Sequence, residues 1–183
     1  MNHTRLRNLV LAAFFLALGF VLPMLTGQIP NIGKMLLPMH IPVFLCGLIC
    51  GWKYGGIVGF TLPLLRSLIF SVPVMYPTAI AVAFEMAVYG IVAGLLFART
   101  RQKRMIAIYL SMFPAMLLGR LVRCLAEIIL LGLQGGTFIL QVFFSTTIVN
   151  AVPGILLQLF LVPAVMTILI KTNLLDSHRK NNE

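Results

Sequence analysis

The sequence has little charge, and only a small part of that charge is negative. Of 183 residues only 10% are charged, with 14 Lys and Arg against four Asp and Glu, whereas 60% are hydrophobic. A soluble globular domain carries about 25% charged residues, so this composition excludes an ordinary soluble domain. Helical membrane spans need about 20 apolar residues each, and the chain has room for about six of them. The sequence therefore predicts an all-α membrane protein with a single integral membrane domain over residues 1–183.

Cysteines and catalytic motifs are also scarce. Cys46, Cys50 and Cys124 lie in apolar segments, where a thiol usually behaves as a small buried hydrophobe. No His, Asp or Glu follows them at the spacing of a zinc site, so we expect neither a disulfide framework nor a bound metal. Gly33-Lys34 departs from the phosphate-loop pattern, and the sequence has no hydrolase motif. These absences predict a protein that is not an enzyme, has no cofactor and does not hydrolyse ATP by itself.

Six apolar runs account for nearly the whole chain. Segments rich in Gly, Pro, Asn or basic residues separate them. We interpret the first run as a retained span because no convincing signal cleavage site lies within it. Trp52, Lys53 and Tyr54 are interpreted as the interfacial end of the second span, followed by a tight turn. The predicted spans cover residues 9–25, 36–52, 55–72, 78–97, 105–133 and 138–170.

Basic residues outside the spans fall almost entirely on one side. The net charge of +10 would suggest nucleic-acid binding in a soluble protein, but orientation in the bilayer explains it better here, and we expect no nucleic-acid partner. Alternating the six spans leaves Lys34 alone on the opposite side. By the positive-inside rule, both termini and the loop at residues 99–104 are predicted to be cytoplasmic. The residues on the cytoplasmic side are Arg5, Arg7, Lys53, Arg99, Arg101, Lys103, Arg104, Lys171, Arg179 and Lys180.

The fifth span contains charged residues inside an apolar run. Arg120, Arg123 and Glu127 recur at i, i+3 and i+7, so they share one face of a helix. Ionisable groups inside a membrane are costly and usually mark a functional site. The alternative is a purely structural ion pair between Arg123 and Glu127.

Further polar residues are predicted at a similar depth. Counting the helical rise from each span end puts Arg66, Glu85, Tyr89 and Asn150 near the middle or in the outer half of the bilayer. Three cations and two carboxylates would leave a net positive charge, which suits an anionic small molecule because guanidinium binds a carboxylate through paired hydrogen bonds. The alternative is that Arg120 extends to the interface and binds no substrate.

Small residues recur at every fourth position and predict close approach of helices. Most of these contacts are expected within the protein, whereas Ala13 and Ala17 in the first span are candidates for contact with a partner. The residues concerned are Gly47, Gly51, Gly55, Gly59, Gly90 and Gly94, together with Ala13 and Ala17.

The chain resembles the S-components of energy-coupling factor (ECF) transporters, the small membrane subunits that capture vitamins. The resemblance rests on the six-span layout, on Ala13-x-x-x-Ala17, and on residues 37–43 (LPMHIPV) leading into residues 46–56 (CGLICGWKYGG). It implies that Ala13 and Ala17 pack against the shared transmembrane coupling subunit, and that two further subunits hydrolyse ATP. It also implies that residues 28–40 close over the substrate, and it places the protein in the plasma membrane of a prokaryote.

Within that family, the segment Pro38 to Pro42 and the arginines of the fifth span are most similar to pantothenate-type members. Pantothenate has a carboxylate, hydroxyls and an amide, which suit paired arginines with carboxylate, imidazole and amide partners. Folate, another B vitamin, a phosphorylated vitamin or a queuosine precursor would suit the same residues, and an unrelated channel or intramembrane enzyme remains an alternative. His40 could equally be an interfacial residue at a helix start. The predicted substrate-binding residues are Arg66, Glu85, Tyr89, Arg120, Arg123, Glu127, His40 and Asn150.

Overall fold

The protein is helical throughout the part of the chain that the structure describes. This computed structural model describes residues 3–26, 38–100, 105–133, 135 and 152–172, and these contain six α-helices, one π-helical turn and no strand. The all-α prediction and the number of helices are confirmed for these residues. The helices are α1 (His3–Thr26), α2 (His40–Cys50), α3 (Trp52–Phe70), α4 (Ile80–Arg99), α5 (Met105–Leu133) and α6 (Val152–Lys171), and the π-helical turn Met75–Ala79 precedes α4.

Three helical stretches are long and apolar enough to cross a membrane. They are Arg5–Met24, Met75–Arg99 and Val152–Lys171. Of the remaining helices, α2 has only 11 residues, and α5 carries two arginines and a glutamate within its 29 residues. The structure therefore supports a membrane protein, while six spans and cytoplasmic termini stay predictions.

The junction between α2 and α3 lies at Gly51. Its backbone has φ 93° and ψ 168°, a conformation that glycine adopts readily and residues with a side chain rarely do. The turn expected after Tyr54 thus lies before Trp52, and Trp52, Lys53 and Tyr54 form the first turn of α3. The Lys53 ammonium lies 5.5 Å from the centre of the Trp52 ring. The predicted aromatic and basic cluster is present, but at a helix start.

Helix α4 is the centre of the fold and packs against α2, α3 and α5. Its contacts with α2 and α3 are made at glycines. A Cβ added to Gly90 would collide with the backbone of Gly55, and one added to Gly59 would collide with the backbone of Met86. Such contacts let helix axes approach closely. The predicted role of the glycine pattern is confirmed for this interface.

Helix α1 packs against α2 and α3 through one face. Ala12, Phe15 and Gly19 on that face are buried. Ala13 and Ala17 are exposed on α1, as are Val10 and Phe14, which are 60% and 56% accessible. The predicted alanine pair therefore belongs to an uncovered apolar surface of this chain.

Two hydrogen bonds from tyrosine side chains to main-chain carbonyls connect distant parts of the chain. The Tyr109 hydroxyl on α5 donates to the Leu159 carbonyl on α6 over 3.2 Å. The Tyr76 hydroxyl, in the connection from α3 to α4, donates to the Leu130 carbonyl near the end of α5. Both bonds help to fix α5, the helix that carries the charged residues.

Candidate functional site

Glu85 is the centre of a polar cluster between α4 and α5. Its side chain is fully buried. One carboxylate oxygen, Oε1, accepts a hydrogen bond from the Tyr89 hydroxyl over 2.6 Å and lies 3.2 Å from Nε of Arg120. The other, Oε2, accepts a hydrogen bond from Nη1 of Arg123 over 3.1 Å. A buried carboxylate is tolerated only with such partners, so this arrangement compensates the loss of its hydration.

Arg123 joins two carboxylates. In addition to Glu85, it donates from Nε to Oε1 of Glu127 over 3.0 Å, one helical turn along α5. The side chains of Arg120, Arg123 and Glu127 are 15%, 13% and 16% exposed, whereas that of Glu85 is not exposed at all. The predicted stripe on α5 thus forms one face of a cluster that is accessible from the α5 side and closed on the α4 side.

The ring of Tyr89 fixes the position of its hydroxyl beside Glu85. The ring stacks on Phe44 with centroids 5.0 Å apart, and the His40 ring lies 5.5 Å away. On the α5 side, Gly119 faces the Tyr89 ring so closely that any Cβ at this position would overlap it. A glycine immediately before Arg120 therefore lets α5 approach α4 closely enough for the ion pairs to form.

The cluster is balanced in charge. Arg120 and Arg123 supply two positive charges, and Glu85 and Glu127 supply two negative charges. Arg66, expected to add a third cation, makes its contacts elsewhere: its Nε donates to the Val72 carbonyl over 3.2 Å. Its guanidinium also lies 5.8 Å from the centre of the Phe70 ring. Arg66 sits four residues before the end of α3, so its side chain reaches the Val72 carbonyl just past the helix and does not contribute its charge to the cluster.

The other predicted site residues fall into two groups. His40 is 1% exposed at the first position of α2 and lies beside Tyr89, so it belongs to the edge of the cluster. Asn150 and residues 28–37 of the predicted closing loop lie outside the described residues. The part of that loop that is described, residues 38–40, leads directly into α2. Ligand contact by any of these residues stays a prediction.

The arrangement suits binding better than catalysis. The buried hydroxyls of Ser67 and Ser111 donate to the carbonyls of Pro73 and Ala107, each over 2.7 Å, so neither is held by a neighbouring base. Among the residues that the structure describes, no group of three or more His, Cys, Asp or Glu side chains could hold a metal ion. What the cluster offers is a pair of guanidiniums held in place by carboxylates, which is suited to recognising an anion.

Sequence analysis missed Gln158 on α6. Its side chain is 1% exposed, and among the residues that the structure describes neither its amide nitrogen nor its amide oxygen has a hydrogen-bond partner. The signal was present, since Gln158 is an amide in the otherwise nearly apolar helix Val152–Lys171. Buried polar groups normally have partners, so an unpaired one is destabilising.

Comparison with known families gives one result that covers most of the chain. The family model described as "ECF transporter, substrate-specific component" matches residues 7–173. Comparisons with curated proteins and with solved structures find no significant match. Members of the matched family confer substrate specificity on a transporter and are not enzymes. They bind small-molecule substrates and work with the coupling and ATPase subunits of the ECF module. With this match and its apolar helices, the chain is a membrane protein that belongs to the family of ECF transporter substrate-specific components.

Proposed function

We propose that this chain binds a water-soluble vitamin with a carboxylate group, pantothenate being the first candidate, for uptake driven by ATP hydrolysis in partner subunits. The observation that carries the proposal is the pair of guanidiniums on α5, Arg120 and Arg123, both in contact with the buried carboxylate of Glu85. Two arginines fixed in this way present planar donors that match a carboxylate. Pantothenate also has hydroxyl and amide groups, for which His40 and Asn150 are the proposed partners, while the buried Glu85 holds the arginines.

The proposed orientation follows from charge. With six spans, ten basic residues lie on the side of the termini and Lys34 alone lies on the other side. By the positive-inside rule this distribution supports cytoplasmic termini. The resemblance to ECF S-components is the ground for proposing the cell membrane of a prokaryote. Arg120, Arg123 and Glu127 follow the cytoplasmic start of α5 by about 22, 27 and 33 Å, so the ligand would enter from outside.

The proposed docking surface is the uncovered face of α1. Ala13 and Ala17 are exposed there and are small enough for a partner helix to approach the backbone. We expect Ala13→Trp and Ala17→Trp to leave vitamin binding unchanged and to abolish co-purification with the coupling subunit. Ala12→Trp, on the buried face of the same helix, is the contrasting variant and should instead reduce the yield of folded protein. Normal co-purification of both exposed-face variants would contradict the docking role.

Direct binding measurements test the substrate. Mass spectrometry of small molecules released from the purified protein should detect the vitamin, and calorimetry with pantothenate should give a dissociation constant in the micromolar range or lower. Folate, biotin and a queuosine precursor serve as the comparison panel. Binding of folate or biotin, which also have a carboxylate, would reassign the substrate within the same function. Binding of the queuosine precursor alone, which has no carboxylate, or no binding to any of them would overturn the proposal.

A further inference from the structure

The two carboxylates that hold Arg123 differ in how firmly they are held. Glu85 is fully buried and contacts Tyr89, Arg120 and Arg123. Glu127 is 16% exposed, and within the described chain its carboxylate hydrogen-bonds with Arg123 alone. If the Glu85 carboxylate moved away, Arg120 and Arg123 would both lose their buried counter-charge. Glu127, by contrast, can rotate about its side-chain bonds while staying near the edge of the cluster.

Charge balance makes this difference important for an anionic ligand. With Glu85, Glu127, Arg120 and Arg123 in place, the cluster is neutral. A ligand carboxylate added to it would leave one uncompensated negative charge in a poorly hydrated environment, which is costly. If Glu127 moves away from Arg123 as the ligand carboxylate binds, the two arginines still face two carboxylates, those of Glu85 and the ligand.

We infer that Glu127 is an internal competitor, a carboxylate that occupies Arg123 and is displaced by the carboxylate of the ligand. Glu85 is then the fixed partner that positions both guanidiniums, and Arg123 exchanges one carboxylate for another. Only a ligand whose carboxylate binds Arg123 better than Glu127 does completes this exchange, whereas a neutral analogue leaves Glu127 on Arg123 and is not affected by the competition. The inference rests on the proposed function, because it requires a ligand with a carboxylate.

Substitution of Glu127 by glutamine tests the exchange directly. Glu127→Gln keeps the shape of the side chain but removes its charge, so the ligand carboxylate no longer has to displace another carboxylate from Arg123. An exposed or partly exposed ion pair at i, i+4 spacing is weak, so we expect pantothenate to bind about two- to tenfold more tightly to this variant. Pantothenol, in which a primary alcohol replaces the carboxylate, should bind wild type and variant with equal affinity.

Two further variants separate competition from a general loss of charge. Glu127→Asp retains the charge on a shorter side chain and should give an affinity between those of wild type and Glu127→Gln. Glu85→Gln removes the same charge from the buried position and should weaken pantothenate binding, because Arg120 and Arg123 lose the group that positions them. Calorimetry in detergent at one fixed salt concentration measures all three, with thermal unfolding as the check that each variant is folded.

The outcomes distinguish this inference from the proposed function. If wild type binds pantothenate, or another carboxylate vitamin of the panel, and Glu127→Gln binds it equally or more weakly, the competitor role is overturned while vitamin binding stands. A gain in pantothenol affinity equal to the gain in pantothenate affinity would also overturn it, since the effect would not depend on the carboxylate. If wild type binds none of the panel, or only the queuosine precursor, which has no carboxylate, the proposed function and this inference fail together.

Discussion

The two faces of α4 contact their neighbours differently, one through close backbone packing and the other through ion pairs. Towards α2 and α3, the helix makes backbone contacts at Gly90 and Met86, with glycines on the facing helices. Towards α5, it presents the buried carboxylate of Glu85 to two arginines. The first face tolerates no added atoms, whereas the second depends on charges that must remain paired. One side of α4 therefore anchors the helix by shape, so that the other side can hold a carboxylate in a fixed position.

The largest effect is expected on the charged face, from Arg123→Ala. This change removes one partner of Glu85 and the partner of Glu127 together. Removing one member of a buried ion pair typically costs about 3–5 kcal/mol. We expect vitamin binding to fall by more than about 100-fold, with a lower midpoint of thermal unfolding; calorimetry and a thermal scan of the detergent-solubilised protein measure both.

Arg120→Ala is the matched comparison, because it removes an arginine with the same proposed ligand role but without a contact to Glu127. We expect a similar loss of binding and a smaller loss of stability. Unchanged affinity in both variants would show that the two arginines serve only structure.

The glycine face should fail by steric overlap, with Gly90→Ala as its test. The added Cβ would meet the backbone of Gly55, which cannot rotate away as a side chain can. Overpacking of this kind costs about 1–3 kcal/mol. The midpoint of thermal unfolding should fall, while the ligand affinity of the protein that remains folded changes little.

Gly132→Ala provides the control for Gly90→Ala. Apart from the backbone of its own helix and its two chain neighbours, no heavy atom of the described residues lies within 4 Å of a Cβ built at Gly132, which is also within a helix. The control should be as stable as wild type or slightly more stable, because alanine favours the helix. Equal stability of the Gly90 and Gly132 variants would contradict the contrast between the two faces.

Gly119 combines close helix packing with the charged cluster, and Gly119→Ala should reduce stability less than Gly90→Ala does. The new Cβ would overlap the ring of Tyr89, which is buried and stacked on Phe44, so the ring must shift against its neighbours. This shift would weaken the hydrogen bond from the Tyr89 hydroxyl to Glu85, and a hydrogen bond to a charged group contributes about 1.5–3 kcal/mol. We expect affinity to fall about tenfold together with a lower midpoint of thermal unfolding, and Tyr89→Phe should reproduce the loss of affinity without the steric overlap.

The smallest effect is expected from Gln158→Leu, and its sign is the opposite. Leucine has a similar volume and removes an amide that has no hydrogen-bond partner in the described part of the chain. The variant should gain about 1 kcal/mol in stability, read as a higher unfolding midpoint. Ser111→Ala, which removes a buried hydroxyl already bonded to Ala107, should be nearly neutral. A lower midpoint for Gln158→Leu would mean that the amide has a partner such as a bound water.

Sequence periodicity predicted what lies within one helix better than what lies between helices. The spacing of Arg120, Arg123 and Glu127 placed them on one face, and the ion pair between Arg123 and Glu127 is present. Helical spacing alone does not determine which helix faces that stripe. The depth estimate, which used rise per residue from each span end, nevertheless brought Glu85 to the level at which it contacts both arginines.

Two predictions from the sequence, the position of Arg66 and that of the turn between α2 and α3, differ from the structure for local reasons. Arg66 was placed by depth alone, but its long side chain reaches the Val72 carbonyl just past its own helix. The break between α2 and α3 was placed after Tyr54 because aromatic and basic residues often mark a membrane interface, whereas the backbone turns at Gly51, where φ is positive. In both cases the main chain determined the outcome: a carbonyl accepts the hydrogen bond of Arg66, and the turn lies at the residue with a positive φ. The hydrophobic pattern shows neither feature.

The hydrogen bond from Tyr76 to the Leu130 carbonyl couples the end of α5 to a distant connection of the chain. Leu130 is one of the last four residues of α5, whose carbonyls have no donor within their own helix. The donor comes from a residue 54 positions earlier, in the connection between α3 and α4. The final turn of α5, just beyond Glu127, is therefore stabilised by this earlier connection. Amide hydrogen exchange in that turn should consequently report on the α3–α4 connection, and Tyr76→Phe should speed exchange there before it affects the rest of α5.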